Sequence, residues 1–228
     1  EYAKEDNKDM VWNMHMKYKA NLINYVYAKT GVKLDINSLT IGFARRATGY
    51  KRWDLIFKNP LSIEDLIKRY NIQLIFAGKS HQKDFHGKKY LSIIKKFSKE
   101  YPNNVLFLEG YDIDMASYLT SGCDIWLNTP LVPMEACGTS GMKAALNGVL
   151  NFSSSDGWWA EACKHEENGW EIYSHENLSG YERDRKDAES LIYYLYTSVV
   201  PTYYNEDKTA WINMMINSIK MADYFTTE

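Results

Sequence analysis

Two short stretches of this 228-residue chain gather side chains that could do chemistry. The first, "ARRATGYKRWD" at 44–54, places Arg45, Arg46, Lys51 and Arg52 together at what reads as a strand end. Four cations with little acid beside them suit phosphate or another anion, the guanidinium as a bidentate fork and the ammonium as a point charge. A solvated basic turn is the alternative. The second, "EACGTSGMK" at 135–143, holds a carboxylate (Glu135), two glycines (Gly138, Gly141), two hydroxyls (Thr139, Ser140) and a lysine (Lys143). Free backbone N–H groups at a helix start attract anions, and small residues let a ligand approach the backbone. The stretch could therefore cradle a phosphate. The same residues suit a tight strand-to-helix turn, and spacing leaves both readings open.

The second stretch is not a P-loop, because Met142 separates Gly141 from Lys143 and Ala144 follows. Lys143 is read as lying in the first turn of a helix, where the dipole disfavours a cation. There it would meet an anion or be uncharged, as in a Schiff base to an aldehyde cofactor; a solvated lysine is the plain alternative. Tyr111, in "EGYDID", stands at a strand end where its ring could stack on a flat ligand. Asp156-Gly157 is a turn signal, and Trp158-Trp159 beside it reads as packing rather than as a sugar platform.

The elements that would carry these residues alternate. Near-continuous apolar runs at 39–45, 72–79, 104–110, 123–129 and 149–154 read as strands, with a shorter one at 169–174. Helical patterns occupy 10–28 (apolar at Met10, Met14, Leu22, Tyr25 and Val26), 60–70 (with Ser62 as N-cap and Asp65 in the first turn), 88–101, 114–122 and 138–148. Strands that are apolar throughout and separated by helices predict an α/β fold: a doubly wound, Rossmann-like parallel sheet covered on both faces. Such a sheet binds ligands at the carboxyl ends of its strands, near the reversal in strand order. That rule selects the loops carrying both stretches, and it favours the anion-site reading of the first. Beyond residue 174 only helices follow, expected to pack on the sheet or to cross to another domain, and "ERDRKD" at 182–187 reads as a solvated helix face.

Composition narrows the function classes. A net charge of -2 argues against a general nucleic-acid binder. Charges interrupt every apolar run short of membrane-spanning length, and no secretory leader is read at the acidic start. Three cysteines without a CxxC pair predict reduced thiols and a cytoplasmic setting, and the scattered histidines predict no metal site.

Together, "RRATGYKRWDLI", "LEGYDIDMASYL", "CDIWLNTPLVPMEACGTSGMKAALNGVLNFSSSDGWW" and "ENGWEI" resemble the α-glucan (glycogen, starch, maltodextrin) phosphorylases of the shorter bacterial and archaeal type. The resemblance runs from "VWNMHMKYKANLINYV" to "FTT", with Cys137 where the family usually has serine. It implies pyridoxal 5′-phosphate held by Lys143 as a Schiff base. Arg45, Thr139, Ser140 and the Gly138 helix start would hold its phosphate, and Tyr111 would lie beside it. Arg46 and Lys51 would bind the substrate phosphate. Glu135, with the backbone N–H groups of Cys137 and Gly138, would bind a glucose hydroxyl. The implied reaction is reversible phosphorolysis, with retention, of the terminal α-1,4-linked glucose of a glucan by inorganic phosphate, giving glucose 1-phosphate. The cofactor's 5′-phosphate would act as proton relay rather than its ring as electron sink.

The resemblance also implies that this chain is a fragment: the second domain of a two-domain GT-B glycosyltransferase architecture. Residues 1–30 would be a lead-in helix from a missing N-terminal domain, 31–180 the cofactor-binding Rossmann-like domain, and 181–228 C-terminal helices packing on the sheet. The isolated domain is expected to be inactive, and the intact protein could be a homo-oligomer. Two alternatives are a nucleotide-sugar glycosyltransferase resembling glycogen synthase, which would not need Lys143, and a non-catalytic glucan-binding domain.

Overall fold

A computed structural model of the chain describes residues 8–81 and 83–226. Six strands form one sheet: β1 (Thr40–Arg46), β2 (Gln73–Lys79), β3 (Val105–Glu109), β4 (Ile125–Asn128), β5 (Leu150–Ser154) and β6 (Gly169–Ile172). All neighbouring pairs are parallel, in the order β3-β2-β1-β4-β5-β6. The register runs Thr40↔Gln73 to Arg46↔Lys79 and Ile41↔Ile125. After β3 the chain returns to the far side of β1, so the order reverses between β1 and β4. The expected doubly wound sheet is present, and its reversal lies between the two strands that precede the chemistry-bearing stretches.

The strands are buried on both faces, which is why they read as continuous apolar runs. On one face Ile41, Phe43, Leu74, Phe76, Ile125, Leu127 and Phe152 pack under α2 (Pro60–Tyr70), α3 (Phe85–Glu100), α7 (Gly180–Tyr194) and α8 (Val200–Tyr204). On the other, Ala44, Ile75, Ala77 and Trp126 pack under α1 (Lys8–Thr30), α4 (Ile113–Gly122) and α5 (Thr139–Leu146). Helix α6 (Trp159–Ala162) is a single turn that the sequence pattern did not reveal, and α9 (Thr209–Asp223) packs against α1 and α5. A π-helical segment, Leu195–Val199, joins α7 to α8. No helix among the described residues is long and apolar enough to cross a membrane.

Three local expectations are corrected. Helix α2 is capped by Asn59, whose side chain accepts the Ser62 N–H, with Pro60 in its first turn; Ser62 is not the cap, and Asp65 lies beyond the first turn. Helix α1 does not bury Met10 and Met14. Its inward face is Val11, His15, Lys19, Leu22, Ile23 and Val26. Two of those residues are polar because they serve a buried acid: Asp124 bonds His15 Nε2 at 2.8 Å and Lys19 Nζ at 2.6 Å, and Lys19 also donates to the Tyr203 hydroxyl and the Ser38 carbonyl. Finally, "ERDRKD" is only in part a solvated face: Glu182 and Arg185 are exposed, but Arg183 and Asp187 are buried in an ion network with Arg52.

Candidate active site

Strand β1 ends in Arg45 and Arg46, and a short 3-10 turn, Gly49–Lys51, follows. Arg45 is buried, with its guanidinium 5.0 Å from the centre of the Phe43 ring. Its Nε and Nη2 have no hydrogen-bond partner. Burial pushes its pKa down to about 10, opposed by the neighbouring Tyr111 and Tyr50. A buried guanidinium with two free donors is costly unless an anion meets it.

This loop is stitched to the one after β4. The Leu131 N–H donates to the Tyr50 carbonyl at 2.7 Å, and the Thr129 hydroxyl donates to the Lys51 carbonyl at 2.9 Å. Arg52 completes the seam. It is not a ligand cation: it turns inward from a left-handed backbone (φ 44°) and donates to the carbonyls of Thr129 and Pro130 at 3.1 and 2.9 Å. Its charge is met by Asp187 at 2.6 Å. Three of the four cations thus remain for an anion.

The β4–α5 loop brings Glu135 against Lys51, the two carrying a direct ion pair, with Arg45 Nη1 at 3.8 Å from the same carboxylate. The acid that the basic stretch lacked in sequence is supplied from a distant loop. Burial and the Arg45 charge push the Lys51 pKa down to about 7, with Asp156 opposing. Arg46 stands exposed at the end of β1, opposite Lys79, outside this ion-pair cluster.

Gly138 caps α5 with φ +90° and ψ 53°, a conformation that glycine adopts freely and other residues do not. Beyond it, Thr139, Ser140 and Lys143 face an open depression of about 320 Å³, completed by Tyr111, Ile113 and Ala116 from the β3–α4 turn and α4. Lys143 is exposed and Tyr111 half-buried. Burial raises the Tyr111 pKa, and Arg45 opposes that. Ser140 also accepts a bond from Trp126 Nε1 at 3.3 Å. Lys143 lies in the last turn of α5, not the first. The dipole therefore favours its charge rather than opposing it, contrary to the expectation for a first-turn lysine.

Cys137 is exposed, and among the described residues the backbone N–H groups of Cys137 and Gly138 have no protein acceptor. Trp158 and Trp159 are buried against Ala145 and Ala162, as the packing reading expected. The residue that sequence reasoning passed over is Asp156, read only as part of a turn. It is buried and accepts the Glu135 backbone N–H at 2.8 Å. The signal available was an acid two residues past a strand, at the ligand-binding end.

The site therefore has an anion-ready arginine, a lysine–glutamate pair and a lysine-lined depression, all at the reversal of strand order. The profile of one family, described as carbohydrate phosphorylase, matches residues 2–174. The glycogen phosphorylase of Aquifex aeolicus is 40% identical over 92% of this chain and 34% of its own length. The maltodextrin phosphorylase of Thermococcus litoralis is 39% identical over 95% of this chain and 28% of its own length. A glycogen phosphorylase of Mycobacterium tuberculosis is 43% identical over 82% of this chain and 22% of its own length. The chain thus spans about a third or less of these relatives. With the sheet order, the loops that meet at its reversal and a profile match across most of the residues, the chain belongs to the carbohydrate phosphorylase family.

Proposed function

We propose that this chain is the cofactor-bearing, second GT-B domain of an α-glucan phosphorylase that cleaves terminal α-1,4-linked glucose with inorganic phosphate to give glucose 1-phosphate. The observation that carries this reading is the convergence of Tyr111, Thr139, Ser140 and Lys143 on one depression, beside Arg45 with two buried donors lacking partners. Those residues fit pyridoxal 5′-phosphate: a lysine for the aldehyde, a flat ring neighbour, and hydroxyls and a guanidinium for the phosphate. When bound, that group supplies a phosphate able to exchange a proton with the substrate phosphate.

The protein's own residues do the rest. Arg45, with the Thr139 and Ser140 hydroxyls and the N–H groups after Gly138, neutralises one phosphate. Lys51 and Arg46 neutralise the second. Two phosphates brought together repel strongly, and cations preorganised in a partly dry site offset that repulsion without reorganising during the reaction. Glu135 accepts a hydrogen bond from a sugar hydroxyl, and the Cys137 and Gly138 N–H groups donate to sugar oxygens. The missing N-terminal domain would close over this face and complete the glucan site, so the fragment alone is inactive. Free cysteines fit a cytoplasmic setting.

The test is made on the protein at its full natural length. Incubated with an α-1,4-glucan and inorganic phosphate, it is expected to release glucose 1-phosphate of retained α configuration. Release of nucleoside diphosphate from a sugar nucleotide instead would contradict the reading.

A further inference from the structure

Three consecutive residues of the β5–α6 loop grip the tripeptide Glu135–Ala136–Cys137. Asp156 Oδ2 accepts the Glu135 backbone N–H at 2.8 Å. Two residues on, the Trp158 N–H donates to the Cys137 carbonyl at 3.0 Å. Between them Gly157 leaves no room for a side chain, since a Cβ there would lie 2.4 Å from the Cys137 carbonyl oxygen, on a backbone with φ +55°. Both ends of the tripeptide are thereby fixed, and the N–H groups of Cys137 and Gly138 stay available.

Asp156 is almost fully buried, and its other oxygen accepts the Gly157 N–H at 2.9 Å. Burial raises the Asp156 pKa, and the two backbone N–H donors oppose it. Its ionic neighbours are Lys51 and Arg183. The groups facing Lys51 are Arg45 from β1, Glu135 from the β4–α5 loop, Asp156 from the β5–α6 loop, and the Tyr50 ring beneath its ammonium. Arg45 and burial disfavour that ammonium; the two carboxylates support it. A sugar hydroxyl that engages Glu135 weakens one of those supports, and Asp156 then remains.

We propose that Asp156 is a positioning residue of this site, holding the Glu135 backbone in register for a sugar and so fixing the carboxylate that pairs with Lys51, with its own charge as a nearby support. The inference rests on the roles of Glu135 and Lys51 given under the proposed function. Asp156 itself touches no substrate. Its part is to fix the backbone of Glu135, which in turn pairs with Lys51 from a different loop, with Gly157 and Trp158 completing the grip.

The experiment uses the full-length protein with cofactor and two variants. Asp156→Asn keeps the size and one acceptor but removes the charge. Gly157→Ala keeps the charge but pushes on the Cys137 carbonyl. Binding of inorganic sulfate, whose charge is constant from pH 5 to 10, is measured by calorimetry across that range, together with the glucan kinetic constants. Asp156→Asn is expected to move the basic limb of sulfate binding down by about one pH unit or more and to lower kcat by about 10- to 100-fold, the range that loss of a hydrogen bond to a charged group gives. Gly157→Ala is expected to lower kcat/KM for glucan and to leave the limb in place. An unmoved limb in Asp156→Asn overturns the proposal, as do wild-type kinetic constants in both variants. If Asp156→Asn does not fold, wild-type kinetics in Gly157→Ala overturns it. If the wild-type protein forms no glucose 1-phosphate, the proposed function fails separately, while the sulfate limb still decides the role of Asp156 toward Lys51.

Discussion

Lys51 and Glu135 lie 84 positions apart in the chain and meet as a direct ion pair where β1 and β4 end. The group assigned to phosphate and the group assigned to sugar therefore neutralise one another. Each ligand must compete with that contact, and each releases the other's partner. Replacing Glu135 by glutamine removes a negative charge beside the anion site. At pH 5 to 6, where Lys51 keeps its ammonium, sulfate should bind the Glu135→Gln protein about 10-fold more tightly, the effect of roughly 1.4 kcal/mol for removing one largely buried opposing charge. Calorimetry reads this directly, and unchanged or weaker binding contradicts the pairing. Glucan turnover should fall in the same variant.

Lys51 also sets two opposite pH trends. Its folded-state pKa is pushed down to about 7, against an ordinary 10.5. Between those values the unfolded chain holds one more proton than the folded one, so the Lys51 contribution to stability rises as pH rises through that window. Sulfate binding, which needs the ammonium, should weaken over the same rise. Urea unfolding and sulfate titration at several pH values check both trends, and Lys51→Met should flatten each.

The sheet was legible because apolar runs and helical periods alternate with little ambiguity, and the ligand end followed from topology. The rule selected the loops that carry Arg45, Tyr111 and the start of the helix with Thr139, Ser140 and Lys143; the structure gathers the last four on one depression, with Arg45 at the end of β1. Arg52 misled, because a cation beside three others looks solvent-facing until Asp187, 135 positions later, is seen to hold it. His15 and Lys19 hid the inward face of α1 for the same reason: a polar side chain can be a core residue when its partner is distant in sequence. Asp156 was missed because a turn aspartate ordinarily caps its own loop, and only the fold brings it to Glu135.

The Lys19–Asp124 pair gives a stability prediction. Both side chains are fully buried. Burial alone would raise the Asp124 pKa, but Lys19 and His15 outweigh it and hold the carboxyl below its ordinary value. Lys19→Met leaves that buried carboxylate with only His15 and the Thr40 N–H and should cost about 3 kcal/mol, seen as a lower urea midpoint. In the wild type this contribution is present above the ordinary carboxylate pKa and is lost as pH falls through the lower folded-state value.

Gly138 is a backbone test of the site. Its φ of +90° places it in the left-handed region, and a Cβ there would rest 3.6 Å from the Glu135 side chain. Gly138→Ala should therefore destabilise mainly through strain, by about 1–2 kcal/mol, and should lower glucan turnover more than sulfate binding. Thermal unfolding and steady-state kinetics on the same preparation separate the two effects.

The most direct test concerns Lys143. The protein at its full natural length, purified with pyridoxal 5′-phosphate, is reduced with borohydride, digested and mapped by mass spectrometry. The account predicts a pyridoxyl group on the peptide containing Lys143, absent from a Lys143→Ala preparation. A protein that carries no pyridoxyl group after reduction, or carries it on a different lysine, contradicts the account.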